Sequence, residues 1–273
     1  MIDIDRLVIT GGFGQIGRSM NFGIHTDHTE INVTDQASVL VGLRQLKASA
    51  VVNLASIDLR PSQADPATAL RVNVEGTYNI AQAARELDIP VFLITTGAVF
   101  NGAFGETFDE TATPEPQCIY AKTKHMAELI VQTLVPEFLI IRTGWLFALN
   151  VAPRKKFVEV VMAAAADNKR VQASNDQSGS PTYTPDFIKA LKNAIAEGHR
   201  GTIHIVNEGT ASAADIADVV YGHYGLTDMV DPVSFREFAG DVPRSSAEGM
   251  TSNILKLRQW TEALAEYVKQ ESA

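Results

Sequence analysis

Short, unbroken apolar runs alternate along the chain with longer stretches whose apolar residues recur at helical spacing. RLVIT (6–10), AVVNL (50–54), PVFLIT (90–95) and EFLIIRT (137–143) are continuous, the pattern of strands covered on both faces. Helical spacing is clearest at 67–87 (ATALRVNVEGTYNIAQAAREL) and at 120–134. Strand, helix, strand repeated in this way predicts parallel pairing with right-handed crossovers. The fold class that follows is α/β, a Rossmann-like doubly wound parallel sheet. No convincing apolar second strand stands out in RSMNFGIHTDHTEINVTD (18–35). Past about residue 150 the rhythm loosens into loops such as ASNDQSGSPTYTP (173–185) and REFAGDVPRSSAEG (236–249), whose Gly, Pro, Ser and Asp supply turns. The expected division is a dinucleotide-binding core over 1–150, to which a helix at about 184–197 returns, and a smaller loop-rich substrate lobe over 151–273. Pocket residues should lie where the two meet.

Composition narrows this little but usefully. A chain of 273 residues, 45% hydrophobic and 20% charged, is ordinary for a soluble globular protein. No apolar run approaches the ~18 residues of a membrane span. The start, MIDIDRLVIT, carries acids and leads straight into a strand, unlike a secretory signal. The single cysteine, Cys118, excludes an internal disulfide and fits a reducing compartment. A net charge of −9 argues against nucleic acid as a partner. No membrane partner is expected either, and cytoplasmic is the expected location. The six histidines show no metal spacing, so no metal is expected. Oligomeric state is not legible, a homodimer being one candidate.

Chemistry enters at two motifs. VITGGFGQIG (8–17) follows the first strand directly and sets Gly11, Gly14 and Gly17 three apart. Such a loop turns sharply, lets the backbone approach a pyrophosphate and, with a short helix following, presents helix N-terminal N–H groups to it. A plain strand-to-helix turn carries similar glycines; position at the head of an α/β chain favours dinucleotide binding. For the adenosine ribose, Asp27, Glu30 and Asp35 are available and Arg18 is the nearest cation, yet none sits at an obvious strand end. NADP or NAD is the implied cofactor, the choice left open.

The second motif is QCIYAKTKHMAEL (117–129), which puts Tyr120 and Lys124 one helical turn apart on one face. Two exposed polar residues would read the same way. The strand PVFLITT (90–96), however, ends in Thr96 at the carboxyl edge where open α/β sheets place their chemistry. Together these three suit a carbonyl. Lys124 lowers the phenol's pKa, Tyr120 gives its proton to the developing alkoxide, and Thr96 steadies that oxygen. Arg154, Lys155 and Lys156 form either a solvated basic patch or, with Arg244 opposite, a clamp for a substrate diphosphate. Trp145 fits simple core packing equally well. Asp176 and Gln177 either close over a nucleotide or set a turn, and His125 is expected at the surface.

Taken together these residues resemble the extended short-chain dehydrogenase/reductases, and within them the dTDP-4-dehydrorhamnose reductases. The resemblance runs through TGGFGQIG (10–17), INVTD (31–35), VVNLAS (51–56), LITTGAVFNG (93–102), YAKTKHMAE (120–128), IIRTGWLF (140–147) and NDQSGSPTYTPDF (175–187). It implies that Gly14, Gln15 and Ile16 meet the cofactor pyrophosphate, with Gly11 and Gly17 shaping the turn. Asn32 and Val33 would flank the adenine, and Ala55 and Ser56 would line the cofactor path. Tyr120 becomes the proton donor, Lys124 the cofactor-ribose partner and Thr96 the hydroxyl beside them. Trp145 would pack against the sugar. The implied reaction is NAD(P)H-dependent reduction of the C4 ketone of a nucleotide-linked, dTDP-type 4-keto-6-deoxyhexose, a step of deoxysugar biosynthesis.

The departures fall at the substrate end. The family's S-T-D-Y-V-F reads T-T-G-A-V-F here, so an acid becomes Gly97 and an aromatic becomes Ala98. In IDLRPSQAD (57–65), Arg60 and Pro61 stand where an acid is usual. R-P-x-x-S reads R-S-S-A-E (244–248), keeping Arg244 alone. The stretch from the first helix to INVTD is shorter than the family norm. A nucleotide-sugar epimerase with retained cofactor and a non-catalytic nucleotide-binding regulatory homologue are the alternatives to the reductase.

Overall fold

The structure, a computed structural model, describes residues 2–148 and 156–271. Six strands form one parallel sheet: β1 (Leu7–Thr10), β2 (Ile24–Thr26), β3 (Ala50–Asn53), β4 (Val91–Thr96), β5 (Phe138–Thr143) and β6 (Gly201–His204). Their spatial order is β2-β1-β3-β4-β5-β6. Every residue of β1 and β3 is buried, which is why these runs are apolar without alternation.

Helices α1 (Gln36–Gln45), α2 (Gly76–Leu87) and α3 (Ile119–Leu134) cover one face of the sheet. There Val39, Leu43, Ile80, Ala84, Ala127 and Val131 pack on Val8, Val51, Leu93 and Ile140. Each aliphatic side chain fully buried in this way contributes about 1.5–3 kcal/mol. Asp35 caps α1, accepting from the backbone N–H groups of Ala37 and Ser38; such a cap is worth about 1 kcal/mol. Beyond β5 the chain forms α4 (Phe157–Ala166) and then α5 (Thr184–Ala196). Phe187, Leu191 and Ile195 of α5 pack on Ile9, Phe92, Leu139 and Ile141 on the other face of the sheet. Helices on both faces make the sheet doubly wound.

A second core lies beside the first. It joins α4, α6 (Ala213–His223) and α7 (Trp260–Glu271) through Val161, Ala217, Tyr221 and Leu264. Against it lies a small parallel pair, Val171–Ser174 with Val230–Val233.

Two local expectations are corrected. A second strand does exist: β2 pairs in parallel with β1, Val8 opposite Ile24 and Thr10 opposite Thr26. It escapes an apolar reading because it is a three-residue edge strand whose central residue is a histidine. Nor does an α-helix follow the glycines. Only the single 3-10 turn Gly17–Ser19 forms before the chain extends into β2. Four residues separate that turn from β2, too few for further helical turns, and Met20 and Phe22 fill the sheet face instead. The helical run at 67–87 also carries a π-helical turn, Leu70–Glu75, between Pro66–Ala69 and α2. Among the described residues no helix is long and apolar enough to cross a membrane.

Candidate active site

A cavity of about 510 Å³ opens along the carboxyl ends of β1, β3, β4 and β5. Its wall runs from Gly11, Gly14, Gln15, Ile16 and Gly17, past Ser56 and Asp58, to Thr96, Tyr120 and Lys124, and ends at Trp145, Lys156, Arg244 and Glu248. The topology dictates this: successive parallel strands deliver their C-terminal loops to one edge.

The glycine turn is tight enough to forbid side chains. Gly11 has φ +66°, and a Cβ there would lie 2.8 Å from the Ala55 nitrogen. A Cβ on Gly17 would lie 2.1 Å from the Gly12 carbonyl oxygen. The loop therefore presents bare backbone, with Gly14 exposed. Because only one 3-10 turn follows, these N–H groups belong to a turn rather than to the start of an α-helix.

Helix α3 carries the tyrosine and the lysine. The Cys118 sulfur caps its start by accepting from the Ala121 N–H at 3.5 Å. Lys124 is buried, and its ammonium donates to the Ile94 carbonyl at 2.7 Å. Burial pulls its pKa down to about 8, against the opposing pull of Glu128 and Asp58. Tyr120 lines the same cavity and is half-buried. Burial first, then the Asp58 carboxylate, raise the phenol above its ordinary value; a hydrogen bond with Thr96 works the other way. Loss of hydration is the largest of these causes.

Behind these groups the mount is rigid. Glu128 of α3 and Arg142 of β5 form a buried pair, Nε to Oε1 at 3.0 Å and Nη2 to Oε2 at 2.7 Å. Asn73, on the π-helical turn, accepts from the Ile57 N–H at 2.7 Å and donates to the Thr123 hydroxyl at 2.9 Å, tying the loop after β3 to α3. The Thr96 hydroxyl accepts from the Ala98 N–H at 3.1 Å.

At the far end, Trp145, Lys156 and Arg244 also line a second, mostly apolar cavity of about 510 Å³ with Phe157, Val161 and Ile216. Lys156 is the described member of the basic cluster; Arg154 and Lys155 lie outside the described residues. Asp176 tethers a distant segment, accepting from the Ser234 hydroxyl at 2.6 Å and the Phe235 N–H at 2.7 Å. His125 is half-buried against Glu128 rather than free at the surface. Ala55, Asn32 and Val33 do not line the cavity. Ala55 packs against Gly11, Asn32 accepts from the Thr34 N–H and hydroxyl, and Val33 is buried on Gly76. Asp27 follows β2 directly, and its carboxylate accepts from the Thr29 N–H and hydroxyl.

Two lining acids, Asp58 and Glu248, were given no role by the sequence. Both lie in the segments where the chain departs from its family, which was the available signal.

A dinucleotide fits this geometry on two observations: the bare backbone of Gly11, Gly14 and Gly17 on the cavity wall, and the Thr143 hydroxyl, which lines the cavity buried without a partner. Residues 5–273 match the family model described as the RmlD substrate binding domain. The dTDP-4-dehydrorhamnose reductase of Mycobacterium tuberculosis (strain H37Rv) is 32% identical, the match covering 96% of this chain and 91% of that one. The dTDP-4-keto-6-deoxy-D-glucose reductase of Streptomyces niveus is 27% identical, with 96% of each covered. The crystal structure of dTDP-4-dehydrorhamnose reductase from Bacillus anthracis in complex with NADP superposes with a TM-score of 0.88, at 25% identity, over 98% of this chain and 100% of that one.

Proposed function

Because the chain belongs to the RmlD substrate binding domain family, we propose that it is an NAD(P)H-dependent reductase of the C4 ketone of a dTDP-linked 4-keto-6-deoxyhexose. The observation that carries this reading is one cavity that holds the glycine turn at one end and Thr96, Tyr120 and Lys124 midway. It continues to Lys156 and Arg244 at the far end. Relatives that bind NADP or act on dTDP-keto sugars support it.

The cofactor, when bound, supplies the hydride. The chain supplies the rest. Gly14, Gln15 and Ile16 offer backbone to a pyrophosphate, in a turn kept open by Gly11 and Gly17, while Ser56 borders the same path. Lys124, held by the Ile94 carbonyl, presents a cation to the cofactor ribose and to the carbonyl end. Tyr120 keeps its proton because its pKa is raised, which is the protonation state a donor to a carbonyl oxygen needs. As the ketone gains hydrogen at carbon, the phenol proton passes to oxygen, and solvent later restores it. Thr96 holds the phenol in line. Trp145 borders the sugar, and Lys156 and Arg244 face the diphosphate. On this reading the first core carries the cofactor and the second core the substrate nucleotide.

The test is to mix purified protein with NADH or NADPH and dTDP-4-keto-6-deoxyglucose, and follow the absorbance of the reduced cofactor. Stoichiometric oxidation with formation of a 4-hydroxyl product is expected. A cofactor that never leaves while the sugar epimerises would overturn the reductase in favour of the redox-neutral branch. No effect of either cofactor on the melting temperature would favour the regulatory alternative.

A further inference from the structure

The sugar end of the cavity holds a charged group for which the catalytic steps have no use. Glu248 is buried, its side chain 9% exposed, and it lines the cavity with Tyr120, Thr96 and Ala98. Its backbone position is fixed. The Glu248 N–H donates to the Ser178 carbonyl at 2.8 Å, and the next two residues, Gly249–Met250, pair with Thr107–Phe108.

The carboxylate itself is poorly satisfied. Oε2 accepts from the Trp145 indole N–H at 3.3 Å; Oε1 accepts from Arg244 Nη2 at 3.4 Å and from Gln177 Nε2 at 3.5 Å. Gln177 also donates, at a better distance, to the Ser245 carbonyl at 2.9 Å. Charge-assisted bonds to a carboxylate ordinarily run about 2.7–2.9 Å, and its two oxygens offer about four acceptor sites. Three long bonds leave acceptor capacity unused in a group that has lost most of its water. Beside it the Arg244 Nε is buried with no partner. A carboxylate held so costs stability unless something donates to it.

The surroundings say what that donor is. Position 97 cannot carry a side chain while this loop stays in place, since a Cβ there would lie 2.9 Å from the Glu248 carbonyl oxygen and 2.7 Å from the Met250 methyl. Position 98 is an alanine, and the acid on this wall of the cavity comes from residue 248. Trp145 is fixed above it, its indole pressed on Gly179, where a Cβ would lie 2.2 Å from the ring. The Glu248 charge reaches the Tyr120 phenol, helping to raise its pKa, so the carboxylate stands near the reacting centre. Arg244 next to it disfavours a second cation, which selects neutral O–H donors over an ammonium.

Resting on the reductase reading, we infer that Glu248 is a specificity-determining residue that accepts a hydrogen bond from a ring hydroxyl adjacent to the reacting ketone. A substrate lacking that hydroxyl leaves the carboxylate with only its three long bonds. Sites built to bond a substrate hydroxyl reject its deoxy analogue strongly, by ~10²-fold or more.

The experiment compares dTDP-4-keto-6-deoxyglucose with its 3-deoxy analogue in wild type, Glu248→Gln and Glu248→Ala, with calorimetric binding of dTDP alone as the second readout. Wild type is expected to prefer the hydroxylated sugar by ~10²-fold in kcat/KM, falling to ~10-fold in the glutamine variant and to near unity in the alanine variant. Affinity for dTDP should hold or rise in both variants, because Arg244 loses a neutralising partner and keeps its charge for the diphosphate. Equal losses on both sugars, or loss of dTDP affinity itself, would mean that Glu248 merely supports the pocket, and would overturn the assignment. So would a wild type that turns over both sugars equally, which would leave the reductase reading intact. A wild type active on neither removes both.

Discussion

Tyr120 and Lys124 are moved in opposite directions by the same cause, loss of hydration, because one is neutral and the other charged when protonated. The consequence for activity is a single limb. Tyr120 keeps its proton through the physiological range, whereas Lys124 loses its charge near pH 8. The kcat/KM for ketone reduction, which reports the free enzyme, is expected to be flat from about pH 6 to 7.5 and to fall above about 8. A profile that rises through pH 8–9 would contradict the Lys124 role. Stability runs the other way. Between about 8 and 10.5 the unfolded lysine holds a proton that the folded one has released, so this group's contribution grows more favourable with pH in that window. Lys124→Met should therefore lose activity yet gain roughly 1–2 kcal/mol of stability at pH 7, a gain that shrinks towards pH 10; denaturant melts at both pH values check it. Tyr120→Phe removes the proton donor and should lower kcat by ~10²–10⁴-fold while leaving cofactor affinity within about twofold, measured by fluorescence titration.

At the scale of elements, α3 is accurate because it is bolted to β5 from behind. Arg142 is 5% exposed and Glu128 1% exposed, and neither charge has water to fall back on. Glu128→Gln would strand the guanidinium and is expected to cost about 3–5 kcal/mol, visible as an earlier urea midpoint; a loss under about 1 kcal/mol would show that the pair is dispensable. The glycine turn fails differently. A methyl on Gly17 meets backbone that cannot swing aside, so Gly17→Ala should open the turn and weaken NAD(P)H binding by ~10-fold or more while the sheet persists by circular dichroism. Much of this was legible in the sequence. β1, β3, β4 and β5 announce themselves as unbroken apolar runs because each is covered on both faces, and Tyr120 and Lys124 sit one turn apart on a helix with clear periodicity. What the sequence hid has physical reasons. β2 is too short and too near the sheet edge to need an apolar run. A glycine fingerprint encodes the turn but says nothing about how many helical residues follow it.

Across the whole molecule the site depends on segments that pass repeatedly between the two cores. The chain leaves the sheet after β5, builds α4 in the second core, returns as α5 and β6, and leaves again for α6 and α7. The C-terminal segment then sends Gly249–Met250 to pair with Thr107–Phe108 and the Ser252 hydroxyl to the Glu110 carboxylate. Such non-local contacts are invisible to periodicity, which is why Glu248 and Asp58 reached the cavity unannounced while the glycine turn did not. They also predict how the protein melts. Neither core can unfold without stripping strands or loops from the other, so one calorimetric transition is expected, not two. NADP should bind at the glycine end and dTDP at the Lys156 and Arg244 end, yet each should raise that same transition. At a hundredfold excess over its Kd either ligand adds about 2.7 kcal/mol, which for a chain of this size moves Tm by roughly 5 °C. Two separable transitions, one shifted by the dinucleotide and the other by dTDP, would instead make the cleft a hinge between independent units, and the catalytic geometry would then have to be assembled by closure rather than built in by the fold.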